Sequence, residues 1–336
     1  MNHSCFKILD YKVLVECMTY NQSIYIEDAL TGFAMQNTNF PYVCLVMDDA
    51  STDGEQAVIK SWIEKECDLP KSVRYDIPES EVIIVPHKTN LSCVFAFYFL
   101  KVNLFNTDKK EHILKEWRLR SEYEAFCEGD DYWVNPLKLE KQVEFMDTHP
   151  EVDICAHSWY ILDSFTGKKK KCIRSFTECT FSTEKVIVGG GDFVATASLL
   201  LRTSKVLNPS EFRRFFKIDY SLQIDGALRG GMGYLPECMS VYRHMAQGSW
   251  SVRSSLNKSL HSEFQRRREQ MLDILDREQK GRFHKAIQAR RLKDAVSNVH
   301  LSRKEKQNAL SKYKDGFGIL PLKARLRVLA KSYLQI

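Results

Sequence analysis

Apolar and polar positions alternate in blocks along the first half of the chain. YKVLVECMTYN (11–21) is an apolar run that stops at a polar turn, and SIYIEDALTGFAMQ (23–36) places Ile26, Ala29, Leu30 and Phe33 at helical spacing. YVCLVMDDASTDG (42–54) repeats the plan and leads into a helix from about Glu55 to Glu66. VIIVPH (82–87) reads as a third strand, TNLSCVFAFYFLKVNLF (89–105) as the next helix, and YEAFCEGDDYW (123–133) as a fourth strand running into an acidic loop. Asn135-Pro136 makes a good cap and first turn for a helix through PLKLEKQVEFMDTH. This alternation predicts an α/β fold, a mostly parallel central sheet with helices on both faces.

Beyond Glu151 the rhythm changes. VDICAHSWYILD (152–163) reads as a strand, TGKKKK as a turn, GGGDFVATASLLLR (189–202) as a glycine-rich loop before an apolar element, DYSLQIDGALRGG (219–231) as a helix closed by glycines, and MGYLPECMSVYR as a strand. Helical patterns dominate after about Ser255. The expected division is residues 1–252 as one α/β domain, its halves meeting near 150, and 253–336 as a helical C-terminal extension.

Composition bounds what such a chain does. Hydrophobic residues at 44% and charged residues at 27% fit a globular protein with a sizeable core. Ten cysteines show no metal-ligand spacing, and several lie within apolar runs, which points to a reducing compartment. MNHSCFKILDYK lacks a signal-peptide core, and CVFAFYFL (93–100) is too short to span a bilayer. The expected location is cytoplasmic, with any membrane contact peripheral on the inner face. The net charge of +6 divides unevenly. Residues from Ser255 onward hold 20 Lys and Arg against 8 Asp and Glu, a net of +12, which leaves the body at −6. In LPLKARLRVLAKSYL, Leu322, Leu326, Leu329 and Tyr333 share one helical face beside a stripe of Lys323, Arg327 and Lys331. Two readings stand: an amphipathic helix on an anionic membrane, or a helix packed on the domain with its charge outward. No nucleic-acid-binding motif accompanies the basic residues.

The candidate chemistry lies in FCEGDDYW (126–133). Two unit charges about 4 Å apart interact by roughly 1 kcal/mol in water and roughly 4 kcal/mol at an effective dielectric near 20. Glu128, Asp130 and Asp131 therefore need a cation. A helix dipole answers one acid; a Mg²⁺ or Mn²⁺ ion shared with substrate phosphates answers all three. Open α/β sheets bind ligands at the carboxyl ends of their strands. Thr19-Tyr20-Asn21, Asp48-Asp49 and Glu128-Gly129-Asp130-Asp131 all fall there. His87, His112, His149 and His157 read as surface or core residues, and Trp117, Arg118 and Arg120 as a solvated helix face.

TYNQSIYIEDAL (19–30), DDASTDG (48–54), EGDDYWVNPLKLEKQVEF (128–145) and SVYRHMAQGSWS (240–251) together resemble the bacterial family 2 inverting glycosyltransferases of the GT-A fold, in order and spacing over about residues 10–252. The resemblance implies a nucleotide-sugar donor, UDP-linked, and a hydroxyl acceptor on a surface glycan or lipid-linked precursor. It implies that Thr19, Tyr20 and Asn21 wrap the nucleoside and that Asp49 contacts the base with Asp48 nearby. Glu128 and Asp130 fill the family's Asp-x-Asp slot, with Glu128, a longer arm than the usual Asp, facing the ribose. Asp130, assisted by Asp131, binds the metal, and Arg243 or His244 meets the phosphates. The general base falls on Asp219, with Asp225 as the alternative. A paired Arg243 in a structural role is the plainer reading of that residue. GGGDF (189–193), Thr196 and Ser198 line the acceptor pocket or merely form a turn. Two other functions stay open: a non-catalytic nucleotide- or glycan-binding module on the same fold, and a sugar nucleotidyltransferase. The latter usually wants a glycine-rich basic loop, and residues 13–36 offer only Gly32 and no lysine.

Overall fold

The computed structural model describes residues 10–105, 107–249, 252, 258–298 and 301–333. Trp250 of the expected closing loop lies outside the described residues. In chain order the strands are β1 (Tyr11–Thr19), β2 (Tyr42–Asp48), β3 (Val73–Ile77), β4 (Ser80–Pro86), β5 (Cys93–Leu100), β6 (Ser121–Phe126), β7 (Tyr132–Trp133), β8 (Ile154–Asp163), β9 (Lys169–Cys172), β10 (Cys179–Phe181), β11 (Leu200–Arg202) and β12 (Met232–His244). The helices are α1 (Ile26–Ala34), α2 (Glu55–Glu66), α3 (Glu111–Leu119), α4 (Lys138–Thr148), α5 (Thr183–Gly189), α6 (Thr203–Leu207), α7 (Glu211–Phe215), α8 (Asp219–Ala227), α9 (Lys258–Glu278), α10 (His284–Ser297), α11 (Arg303–Lys312), α12 (Lys314–Phe317) and α13 (Leu322–Tyr333).

The chain forms two units. The first comprises residues 1–180, 194–208 and 232–261, and holds the sheet in the order β10-β12-β8-β11-β6-β1-β2-β5-β4-β3. Its centre is parallel, β6, β1, β2 and β5 running together, and β12 runs parallel to β8. The β3–β4 hairpin, β7, β9 and β11 pair antiparallel around this parallel centre. Period-two alternation sorts the strands between two cores. Val13, Val15 and Cys17 of β1 face a cluster with Phe33, Ile59, Trp62 and Leu139 of the helices; Leu14 joins Met47, Tyr98, Ile113 and Trp117 on the other face.

Three sequence expectations are corrected here. The run 93–100 is strand β5, paired between β2 and β4, and not a helix. A continuous apolar run does not distinguish a doubly buried strand from a buried helix; Phe95, Phe97 and Phe99 facing one core, with Ala96, Tyr98 and Leu100 facing the other, decide for the strand. The helix of this region is α3, and it is not a solvated face. Trp117 is 1% exposed, and its indole donates to Tyr98 Oη at 3.0 Å. Arg118 is buried among Glu124, Glu111 and Glu16 at 2.8–2.9 Å. The α4 start also shifts: Asn135 Oδ1 accepts from Leu137 N, and the helix begins at Lys138.

Lys138 is wholly buried. Its ammonium donates to Gln142 Oε1 at 2.7 Å and lies 4.0 Å over the Trp133 ring. Burial pulls its pKa down to about 7. The unfolded chain then holds this proton to higher pH than the fold does, so native stability rises with pH between the folded and unfolded values. Lys138→Met is expected to melt above the parent near neutrality, with the gap closing by roughly 4 kcal/mol from about pH 7 to about pH 10. Thermal unfolding of both proteins across that range checks it.

The second unit gathers residues 181–193 and 209–231 with 262–336, so it is not the contiguous tail expected after residue 252. Side chains reaching backbone explain the grouping. Tyr220 Oη donates to Ile187 O at 2.7 Å, Thr183 Oγ1 to Ala227 O at 2.6 Å, Arg290 to Gly189 O at 3.0 Å and Lys293 to Val188 O at 2.8 Å. Ala289, Leu292 and Val296 of α10 form its apolar centre with Leu320 and Val328.

Candidate active site

Four chain segments meet at the carboxyl ends of the central strands in the first unit. The turn after β1 and the turn after β2 are stitched together: Asn21 N donates to Ser51 Oγ at 2.9 Å, and Thr52 N donates to Asn21 Oδ1 at 2.8 Å. Asn21 and Ala50 adopt left-handed φ of 56° and 62° to make these turns. Glu55, the first residue of α2, lies beneath both turns and was missed by the sequence reading. Its buried carboxylate accepts from Thr19 Oγ1, from Gln22 N at 2.9 Å and from Ser51 Oγ at 2.8 Å, and burial raises its pKa. The available signal was an acid at the start of a helix directly after the acidic turn.

The acidic loop continues the pairing of β6 along β1. Cys127 N donates to Glu16 O at 3.1 Å and Gly129 N to Met18 O at 3.2 Å. Glu128, between them, is exposed. Gly129 is held so close to the β1 turn that a Cβ there would lie 2.3 Å from Thr19 Oγ1 and 2.5 Å from Gln22 Oε1. Next in the chain, Asp130 and Asp131 are 8% and 2% exposed. Burial raises the pKa of both, and the neighbouring Asp130 charge pushes Asp131 up further. Asp131 Oδ1 accepts from Arg243 N at 2.8 Å, which ties the loop to β12.

Arg243 is engaged rather than free for phosphate. It donates to Asp130 O at 2.7 Å, pairs with Asp28 of α1, and lies over the rings of Tyr25 and Tyr132 at 4.9 and 4.4 Å. The paired, structural reading of this residue is the one the geometry supports. His244, at the end of β12, is exposed. Asp49 is also committed: its carboxylate accepts from Leu104 N at 2.7 Å and pairs with Lys110 at 3.1 Å. Asp48 accepts from Ser51 N and Gln56 Nε2 through Oδ1, while its buried Oδ2 has no hydrogen-bond partner. Tyr20 is half-buried in the same turn. An open cleft of about 720 Å³ adjoins the β2 turn, lined among others by Ser51, Gln56, Arg74, Tyr75, Phe99 and Lys101.

In the second unit, Asp219 is the exposed first residue of α8. Asp225 is wholly buried, bonded to Ser210 and 3.6 Å from Arg213. Gly190 ends α5 with φ of 83°, and Gly191–Phe193 make a short turn. Ser198, in the first unit, is buried with its hydroxyl on Ala195 O at 2.6 Å, a turn contact, and Thr196 is half-buried.

The residues fit a divalent cation in character: Asp130 and Asp131 are adjacent buried carboxylates whose pKa burial raises. Among the described residues no three His, Cys, Asp or Glu side chains form a ready-made cage.

No family model matches the chain. Curated relatives are the uncharacterized proteins Rv1520 of Mycobacterium tuberculosis and Mb1547 of Mycobacterium bovis, each 30% identical over 233 residues, 69% of this chain. The chain spans 59% of the length of these relatives. Among solved structures, S. aureus TarS 1-349 in complex with UDP-GlcNAc aligns with a TM-score of 0.56 at 16% identity, covering 96% of this chain and 88% of that one. A second TarS structure aligns with the same TM-score over 95% of this chain and 52% of its own. The chain has the fold of TarS. Within it, residues of this chain that are far apart in sequence converge on one set of strand ends.

Proposed function

We propose that the protein is an inverting glycosyltransferase that moves a sugar from a nucleotide-diphosphate donor, a UDP-sugar, to a hydroxyl acceptor in a surface glycan or lipid-linked precursor. One observation carries the reading. Gly129 seats the acidic loop against the β1 turn, which puts two buried carboxylates, their pKa raised by burial, at the ends of parallel strands. That is where open α/β sheets take ligands. The likeness of fold to TarS, solved with UDP-GlcNAc, supports the donor class.

Asp130 and Asp131 would hold Mn²⁺ or Mg²⁺, which needs few protein ligands when diphosphate oxygens complete its shell. Such a cation supplies Lewis-acid stabilisation of the leaving diphosphate. Glu128, exposed beside the loop, would face the ribose. Thr19, Tyr20 and Asn21 form the wall beside the nucleoside. The cleft with Tyr75 and Phe99 offers a base aromatic contact, and Asp48 presents the unused acceptor. Arg243 would position the loop through the Asp130 carbonyl and Asp28, and His244, exposed at the end of β12, would meet a phosphate. Asp219, the exposed first residue of α8, is the proposed general base.

A screen of nucleotide sugars with Mn²⁺ or Mg²⁺, following nucleoside diphosphate release, tests the activity. Asp219→Asn is expected to leave nucleotide binding intact and to lower transfer by about a hundredfold or more. Binding without turnover by the parent protein for every donor would favour the non-catalytic module. Calorimetry that detects no heat from Mn²⁺ with UDP would remove the proposal.

A further inference from the structure

The orientation of α13 reverses what an amphipathic helix does when it packs on its own domain. The side it turns inward is Ala324, Val328 and Ser332, which joins the apolar centre of the second unit. Its bulky apolar residues face out: Leu322 is 72% exposed, Leu326 58%, Leu329 37% and Tyr333 48%, with Ile319 at 42% just ahead of them. At 100° per residue the four helix positions fall within about 60° of one another. Lys323, Arg327 and Lys331 occupy the adjoining strip, spread over about 80°. All three are exposed; Lys331 also reaches Ser297 Oγ at 3.2 Å. Arg325 is on the other side and folds back onto Leu320 O at 2.7 Å.

We propose that this face of α13 docks on an anionic lipid surface, the leucine row and Tyr333 entering the acyl boundary and the basic strip meeting the headgroups. Charge argues for this occupant. Residues 301–336 hold nine Lys and Arg against two Asp and Glu, on a chain whose body is net acidic. Anionic lipid attracts that excess at each basic side chain near its surface. A single apolar row flanked by one sign of charge is the pattern of a helix lying in an interface. A second copy is the weaker candidate. Leu322, Leu326, Leu329 and Tyr333 follow heptad spacing, but α13 has 12 residues. That is short of the roughly three to four heptads that sustain a coiled coil, and two copies would bring like-charged strips together. Among the described residues no helix is long and apolar enough to cross a membrane. The inference stands independently of the catalytic reading.

Flotation of the full chain with phosphatidylcholine vesicles, plain or carrying about one third phosphatidylglycerol, tests it. The protein is expected to float only with the anionic vesicles and to be released by about 0.5 M salt, where screening is short-ranged. Leu322→Ser/Leu326→Ser should weaken vesicle binding at least about tenfold, and Lys323→Gln/Arg327→Gln about thirtyfold. Both double variants change exposed positions, so circular dichroism and nucleotide binding should match the parent. Absence of flotation by the parent protein overturns the proposal, as does binding indifferent to the leucine changes. Light scattering that shows a dimer split by the same leucine changes also overturns it and assigns the face to a second copy.

Discussion

Asp130→Asn is expected to lower metal-dependent release of nucleoside diphosphate about a thousandfold, the rate equivalent of several kcal/mol of lost charge stabilisation. The same substitution should not destabilise the metal-free protein. Asp130 is nearly buried with its pKa raised, so a neutral isostere removes a charge the fold holds at a disadvantage. The pair of outcomes is diagnostic: melting temperature equal to or above that of the parent without metal, and loss of the added stability that Mn²⁺ with UDP gives the parent. Normal turnover by this variant would place the cation elsewhere. A fall in melting temperature with metal response retained would assign Asp130 a structural part only.

Gly129→Ala is expected to cost about 2–3 kcal/mol of stability and to abolish measurable nucleotide binding. The added carbon would lie 2.3 Å from Thr19 Oγ1 and 2.7 Å from Thr19 Cβ. Thr19 cannot yield freely, since its hydroxyl is held by Glu55 and Gln22. The acidic loop must instead lift from the β1 turn, taking Asp130 and Asp131 with it. Gly167→Ala is the control. Gly167 has a left-handed φ of 66° but open space around it, at the β8–β9 turn. It should cost about 1 kcal/mol through backbone strain and leave nucleotide binding unchanged. Chemical denaturation and calorimetry with Mn²⁺ and UDP on both variants separate the two effects. Equal behaviour of the two would mean that close approach at Gly129 does not shape the site.

The parts of this fold that could be read in the sequence are those where local pattern and tertiary placement agree. β1, α1, β2 and α2 came from clean alternation of apolar and polar blocks, and the acidic loop from its composition. β5 reads as a helix because a strand buried on both faces loses the period-two signal that marks a half-buried one. Arg118 reads as solvated because an isolated arginine is mostly exposed; nothing local discloses that Glu16 and Glu124, on two different strands, lie against it. Glu55 and Gly129 owe their importance to contacts more than thirty residues away, between turns that meet only in three dimensions. The second unit could not be delimited by inspection, because it combines two internal segments with the C-terminal helices. The leucine row of α13 was visible as a stripe, but which stripe faced inward depended on Val328 and Ser332 fitting against α10 and α11.

The clamp made by Arg243 has a consequence for how the protein comes into being. It joins Asp28 and the Asp130 carbonyl from a point 215 residues after the first of them in the chain. A ribosome that has released residues up to the end of β11 has delivered every acid of the loop but not the cation that fastens it. The turn at Asp130 is therefore fastened to α1 and β12 only after residues 232–244 have emerged, whatever has folded before them.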